Sequence, residues 1–286
     1  MTKATATSLR LDAQALTFDL PGLLMRARRL ASTLPGAHGR RQAGPGDAFW
    51  QYREHRPEDG ARMIDWRRSA RSDRLYVRER EREVAQTVQL WLDPDPGFAW
   101  RSGPDLPPKI ERAAVLLLAM GLLLWRGGER VGAPGFAASR ASQHADAMLL
   151  RALLDIRDAE PPPPALRAGL VLASDGLAPL DDWRRRFERL AGRGCFGALL
   201  LIADPAEEDF PFAGRTEFRA LDGETRTVFG RAQDVRDTYR ERLLAHMTGL
   251  VEIAGRHSFV TVRHRTDRPA GAALSALMAA IERRRA

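Results

Sequence analysis

A doubly wound α/β fold built on a mostly parallel sheet is what this 286-residue sequence predicts, and three observations carry the expectation. The runs 168–173 and 196–203 are continuously apolar, as strands buried on both faces are. A helix over 182–191 lies between them, and this β-α-β order implies parallel pairing through a right-handed crossover. A third apolar stretch, 113–125, is closed by Arg112 and Arg126. As a helix it would span only about 20 Å against a hydrocarbon thickness of about 30 Å, so it reads as a core helix.

Each element follows in turn. Residues 1–36 hold one amphipathic helix, with Leu20, Leu23, Leu24 and Leu30 set against Arg26, Arg28 and Arg29, and Pro35-Gly36 stops it. That helix could pack on the body, on a partner or on a membrane surface. Residues 37–84 form a small arginine-rich β appendage, its clearest extended pieces being Met63-Ile64-Asp65-Trp66 and Leu75-Tyr76-Val77. As a strand the first piece would put Ile64 and Trp66 on one face and Asp65 on the other. Residues 85–286 make the main domain. In it a strand at 88–92 leads into Asp93, a helix at 108–125 begins at Pro107-Pro108, a weak strand lies near Val131, and a helix covers 142–156. Four prolines at 161–164 stiffen the connection to the two buried strands. A hairpin over 216–229, centred on Asp222-Gly223, a helix at 234–254, a strand at 259–262 and a last helix at 269–284 complete the chain.

Composition narrows the function. A hydrophobic fraction of 44% suits a globular chain. With Cys195 as the single cysteine, no intramolecular disulfide, Cys-rich zinc site or redox pair can form, and Cys195 itself reads as a small core residue. The polar first ten residues lack the apolar heart of a signal peptide, so a cytoplasmic protein without a transmembrane segment is expected. The net charge of +8 is almost wholly arginine, Lys3 and Lys109 being the only lysines. Interleaved Asp and Glu dilute the field, which makes arginine-mediated nucleic-acid binding a weaker alternative. Neither a phosphate loop nor a dinucleotide-binding turn is present, His257 and His264 lack ligand spacing, and Ser174-Asp175 lacks a nucleophile elbow. No catalytic residue is assigned, and no enzyme is expected.

In open parallel sheets ligands sit beyond the carboxyl ends of the strands, and three of those positions are acidic: Asp93, Asp175 and Asp204, the last joined by Glu207. Converging carboxylates can hold a hard cation such as Mg2+. Asp in such places also caps helices and organises turns.

Further blocks are more specific. They run from Gly44-Pro-Gly-Asp-Ala-Phe49 through Tyr52-Arg53, Arg62-Met-Ile-Asp-Trp66, Ser69-Ala-Arg71 and Leu75-Tyr-Val-Arg-Glu79. Downstream come Leu172-Ala-Ser-Asp175, Asp204-Pro-Ala-Glu207 with Pro211, Gly223-Glu-Thr and Val235-Arg-Asp-Thr-Tyr239. In content and order they resemble the domain-of-unknown-function 58 family over most of residues 40–265. The resemblance implies a von Willebrand factor A-like domain that works with MoxR-type ATPases of the AAA+ class and with other von Willebrand factor A-like proteins. It further implies a non-enzymatic adaptor in complex assembly or maturation.

That fold can carry a metal-ion-dependent adhesion site, in which an Asp-x-Ser-x-Ser loop joins a Thr and an Asp from two other loops and leaves a position open for a partner carboxylate. Here the loop reads Asp93-Pro94-Asp95-Pro96-Gly97, without either serine, and residues 126–160 contain no threonine. The site is degenerate. No cofactor is expected of it; the alternative is a Mg2+-dependent binding module using Asp93, Asp95 and Asp175. In the appendage Arg53, Arg62, Asp65, Trp66, Arg67 and Arg71 are candidate partner-binding residues, although the arginines could equally pair with Asp59, Asp65 and Asp73 to hold the fold. Glu58 stands where the family's turn carries Gly, so a turn needing positive φ there would be strained unless Gly60 takes the role.

Overall fold

Leu23, Ala27 and Ala31 recur every four residues and form the buried stripe of the first helix, α1 (Leu20–Ser32). The computed structural model describes residues 20–34, 40–43, 49–161, 163–219 and 226–283. The expected helix stop at Pro35-Gly36, the signature block before Phe49, one of the four prolines and the Asp222-Gly223 turn lie outside them. Next come β1 (Arg40–Ala43), β2 (Phe49–Glu54), α2 (Trp66–Ser69) and β3 (Tyr76–Val84). The three strands form an antiparallel sheet in the order β1-β3-β2.

The main body begins with β4 (Thr87–Leu92), α3 (Lys109–Arg126), β5 (Arg130–Ala133), β6 (Phe136–Ser139) and α4 (Ala145–Leu154). It continues with β7 (Gly169–Ser174), α5 (Leu180–Ala191), β8 (Phe196–Ala203) and α6 (Pro205–Asp209). The hairpin β9 (Thr216–Arg219) and β10 (Arg226–Phe229) precedes α7 (Arg236–Arg256), β11 (Phe259–Arg265) and α8 (Gly271–Arg283).

Six strands make the central sheet, ordered β11-β8-β7-β4-β5-β6. All its pairs are parallel except β5 with β6. Strand β6 was not expected from the sequence: its short Phe-Ala-Ala-Ser run carries no alternation, and it exists as the edge partner of β5. Helices α1, α3, α4 and α8 pack together on one face, and α5 with α7 on the other. The chain therefore leaves β4 by one face and β7 by the other, although the two strands are neighbours, and a crevice opens between their carboxyl ends.

The core is continuous through the sheet. Nearly every residue of α3 from Ala113 to Trp125 is buried, as the uninterrupted apolar run demands. On the opposite face the buried Arg186 guanidinium lies 4.4 Å from the Trp183 ring and 5.2 Å from the Trp91 ring and donates to the Ala159 carbonyl at 2.8 Å. Helix α1 docks on α3 and α4, so its apolar stripe is spent on the body; Arg28 pairs with Asp146 at 2.6 Å and Arg126 donates to the Ala31 carbonyl at 2.7 Å. Cys195 is buried in the core.

One expected element is corrected. Met63-Ile64-Asp65-Trp66 is not a strand: 61–63 is a single 3-10 turn, only Ile64 bridges to Val77, and Trp66 opens α2. The Asp65 carboxylate accepts the Arg68 amide at 3.0 Å and the Asp65 carbonyl accepts the Ser69 amide at 3.0 Å. That N-cap satisfies the donors of a helical turn locally and wins over the extended pattern.

Candidate functional site

The carboxyl ends of β4, β7 and β8 bring four of the five acidic rim residues into one neighbourhood. Asp93 ends β4 and is buried; its Oδ2 accepts the Ser174 hydroxyl at 2.6 Å and its Oδ1 the Asp95 amide at 3.0 Å. Burial pushes its carboxyl above the usual aspartate value, and those two donors offset only part of that. Asp175 follows β7, accepting the Leu177 amide at 3.1 Å through Oδ1. Asp204 follows β8 and is fully buried, with Oδ1 on the Ala206 amide at 2.8 Å and Oδ2 on the Ser102 amide at 2.9 Å. Glu207 returns Oε2 to the Asp204 amide at 2.9 Å, which completes a capping box on α6.

At the centre stands a residue that the sequence reading passed over. Lys109, the first residue of α3, is only 1% exposed. Its Nζ donates to Asp175 Oδ2 at 2.9 Å and to Glu207 Oε1, and lies 6.0 Å from the Trp100 ring centre. Burial acts to lower the ammonium's pKa, but the two carboxylate charges overcome it and leave Lys109 above the ordinary lysine value. Glu207 is pushed upward by partial burial and, less, by the Asp175 charge, despite its pairing with Lys109. A signal was present in the sequence: Lys109 is one of two lysines among 45 cationic side chains, at the head of the helix with the longest apolar run.

The three residues that the Mg2+-dependent alternative assigned to one cation each face a different protein partner. Asp95 is exposed and caps the 3-10 turn after it, accepting the Gly97 amide at 2.7 Å. Among the described residues no three His, Cys, Asp or Glu side chains are grouped to hold a metal ion. Asp175 and Glu207 instead share the Lys109 ammonium, so the donor set in its present form does not fit a divalent ion.

In the appendage the candidates divide. Arg53 forms a bidentate pair with Asp59 at 2.6 Å for each bond, and Asp59 also accepts the Arg56 amide at 2.8 Å, so this turn closes without any left-handed residue at Glu58 or Gly60. Those contacts hold the Asp59 carboxyl well below the usual range. Asp65 is the cap of α2. Trp66 is 62% exposed, and among the described residues Arg62, Arg67 and Arg71 have no hydrogen-bond or ion-pair partner. Arg68 lies over the rings of Tyr52 and Tyr76 at 5.7 and 5.6 Å.

Comparison with known proteins adds sequence kinship. The model of the family described as "Protein of unknown function DUF58" matches residues 51–249. Uncharacterised proteins of Mycobacterium bovis and Mycobacterium tuberculosis are 25% identical over 262 residues, covering 84% of this chain and 81% of theirs. Among solved structures, a conserved hypothetical protein BatB from Bacteroides thetaiotaomicron matches with a TM-score of 0.44 at 15% identity, over 70% of this chain and 98% of that one. An aerotolerance-related membrane protein from Bacteroides fragilis matches with a TM-score of 0.44 at 16% identity, over 70% and 100%. Among the described residues no helix is long and apolar enough to cross a membrane.

Proposed function

Starting from the chain's membership of the DUF58 family, we propose that it is a non-enzymatic, protein-binding adaptor with a von Willebrand factor A-like fold and a degenerate adhesion site that works without a metal ion. The observation that carries this reading is the Lys109 ammonium between Asp175 and Glu207 at the strand-end crevice. A cation fixed to the chain permanently offsets part of the rim's negative charge, so contact there does not wait on an ion. The appendage supports the same reading, because an exposed Trp66 among unpaired arginines has the composition of an interface core. The link to a MoxR-type ATPase, in assembly or maturation of a complex, rests on the family resemblance.

Two measurements test this. In calorimetric titration with Mn2+ the wild-type chain gives no heat, whereas Lys109→Ala, which frees Asp175 and Glu207, gains cation binding; saturable binding to the wild type would instead favour the Mg2+-dependent module. In a pull-down with the cognate ATPase, with and without ATP, the chain is retained; absence of retention in both conditions sinks the ATPase link.

A further inference from the structure

Beyond the rim lies a groove of about 930 Å³, running from the Lys109 group to the β9–β10 hairpin. Trp100, Phe210, Phe212, Phe218, Phe229 and Tyr239 wall it. The phenylalanine and tyrosine rings form a cluster of their own outside the sheet core: Phe210 lies 5.2 Å from Phe212 and 4.9 Å from Tyr239, and Phe218 lies 5.1 Å from Phe212 and 5.9 Å from Phe229. Phe210 is buried, but Phe212, Phe218, Phe229 and Tyr239 keep part of their surface open.

The walls are fixed before any ligand arrives. Arg236 donates to the Phe210 and Phe212 carbonyls at 3.0 and 3.3 Å, and Gln233 accepts the Gly214 amide at 2.8 Å, so the base of the hairpin is tied to the start of α7. Val235, Thr238, Tyr239 and Arg242 follow the three-and-four spacing that sets one helical face along the groove.

On the hairpin side of the groove guanidiniums outnumber carboxylates. Glu217 accepts from Arg219 at 2.7 Å, and Arg226 and Arg215 also lower its carboxyl, so three guanidiniums surround one carboxylate. Arg242 adds a fourth from α7; it is exposed and has no hydrogen-bond or ion-pair partner among the described residues. The floor carboxylates Asp175 and Glu207 are half-buried and already engage Lys109.

We infer that this groove docks an acidic, amphipathic segment of a partner protein, its apolar side chains against the aromatic walls and its carboxylates toward Arg242 and the hairpin arginines. Fixed aromatic walls lower the ordering cost of binding, and the basic mouth supplies the charge preference. The inference deepens the adaptor reading and rests on it, but names a surface and a ligand chemistry that the ATPase pull-down does not probe.

The test is a random displayed peptide library panned on the full chain, followed by fluorescence anisotropy of a synthesised winner. Enriched peptides should carry Asp or Glu beside Phe, Leu or Trp. Their affinity should drop at least about tenfold in Arg242→Glu, an exposed change that leaves the melting temperature in place, and should drop again in Phe218→Ser. Enrichment of basic peptides, no enrichment over the unloaded support, or winners bound equally by Arg242→Glu would each overturn the inference. A failed pull-down alongside acidic winners would remove the ATPase link and leave the groove standing.

Discussion

Lys109 carries its charge into a place where only its two carboxylate partners make burial tolerable. Removing the ammonium leaves Asp175 and Glu207 facing each other without a counter-charge, so Lys109→Met should cost about 3–5 kcal/mol in urea unfolding at neutral pH. A cost under about 1 kcal/mol would show that the pair is solvated and the reading wrong. His264 makes a second prediction with a defined sign. Burial, helped by Arg112, holds its imidazole down to about 4, and Nε2 has no partner among the described residues. A depressed histidine contributes stability above its ordinary pKa of about 6.5 that is lost as pH falls toward the folded value. Between pH 7.5 and pH 5 the wild type should therefore lose about 2 kcal/mol from this residue. In His264→Gln most of that loss should vanish; an unchanged pH slope would place the acid sensitivity elsewhere.

Among the elements, β8 is held on both sides, by β7 and by β11. Gly197 belongs to it for a steric reason: a Cβ there would stand 1.7 Å from the Leu170 carbonyl oxygen on β7. Gly197→Ala should thus destabilise by at least about 3 kcal/mol, read as a lower denaturation midpoint or as insoluble expression. A midpoint equal to wild type would mean that the two strands do not run in this register. Other elements show how local chemistry overrides pattern. Asp65 turned an apparent strand into the capped helix α2, whereas the apolar runs of β7 and β8 had no such competitor and formed where their sequences indicated.

At the scale of the whole molecule, the candidate surfaces sit on separate parts: the rim and its groove on the large parallel sheet, Trp66 and its arginines beside the small antiparallel one. Trp66 is exposed, so Trp66→Ala should leave thermal stability within about 0.5 kcal/mol of wild type while weakening capture of the cognate ATPase. A large drop in melting temperature would instead make Trp66 part of the fold, and unchanged capture would remove it from the interface.

What could be read before folding is what repeats over short distances. Apolar runs, the spacing of α1's buried face and the alternation of strand with helix are local signals, and they specified most element types, the mostly parallel sheet and the acidic strand ends. The family blocks were also legible, and Arg53 with Asp59 lay within an open set of short-range pairings, being only six residues apart. Contacts across the chain left no such trace. Lys109 meets Asp175 across 66 positions and Glu207 across 98, and the aromatic groove joins three separate segments. Only the crossovers, which carry the chain off opposite faces of neighbouring strands, put that ammonium beside the acidic strand ends to which the alternative reading gave an ion: charge partners are chosen by distance in space, and residue spacing along the chain does not encode it.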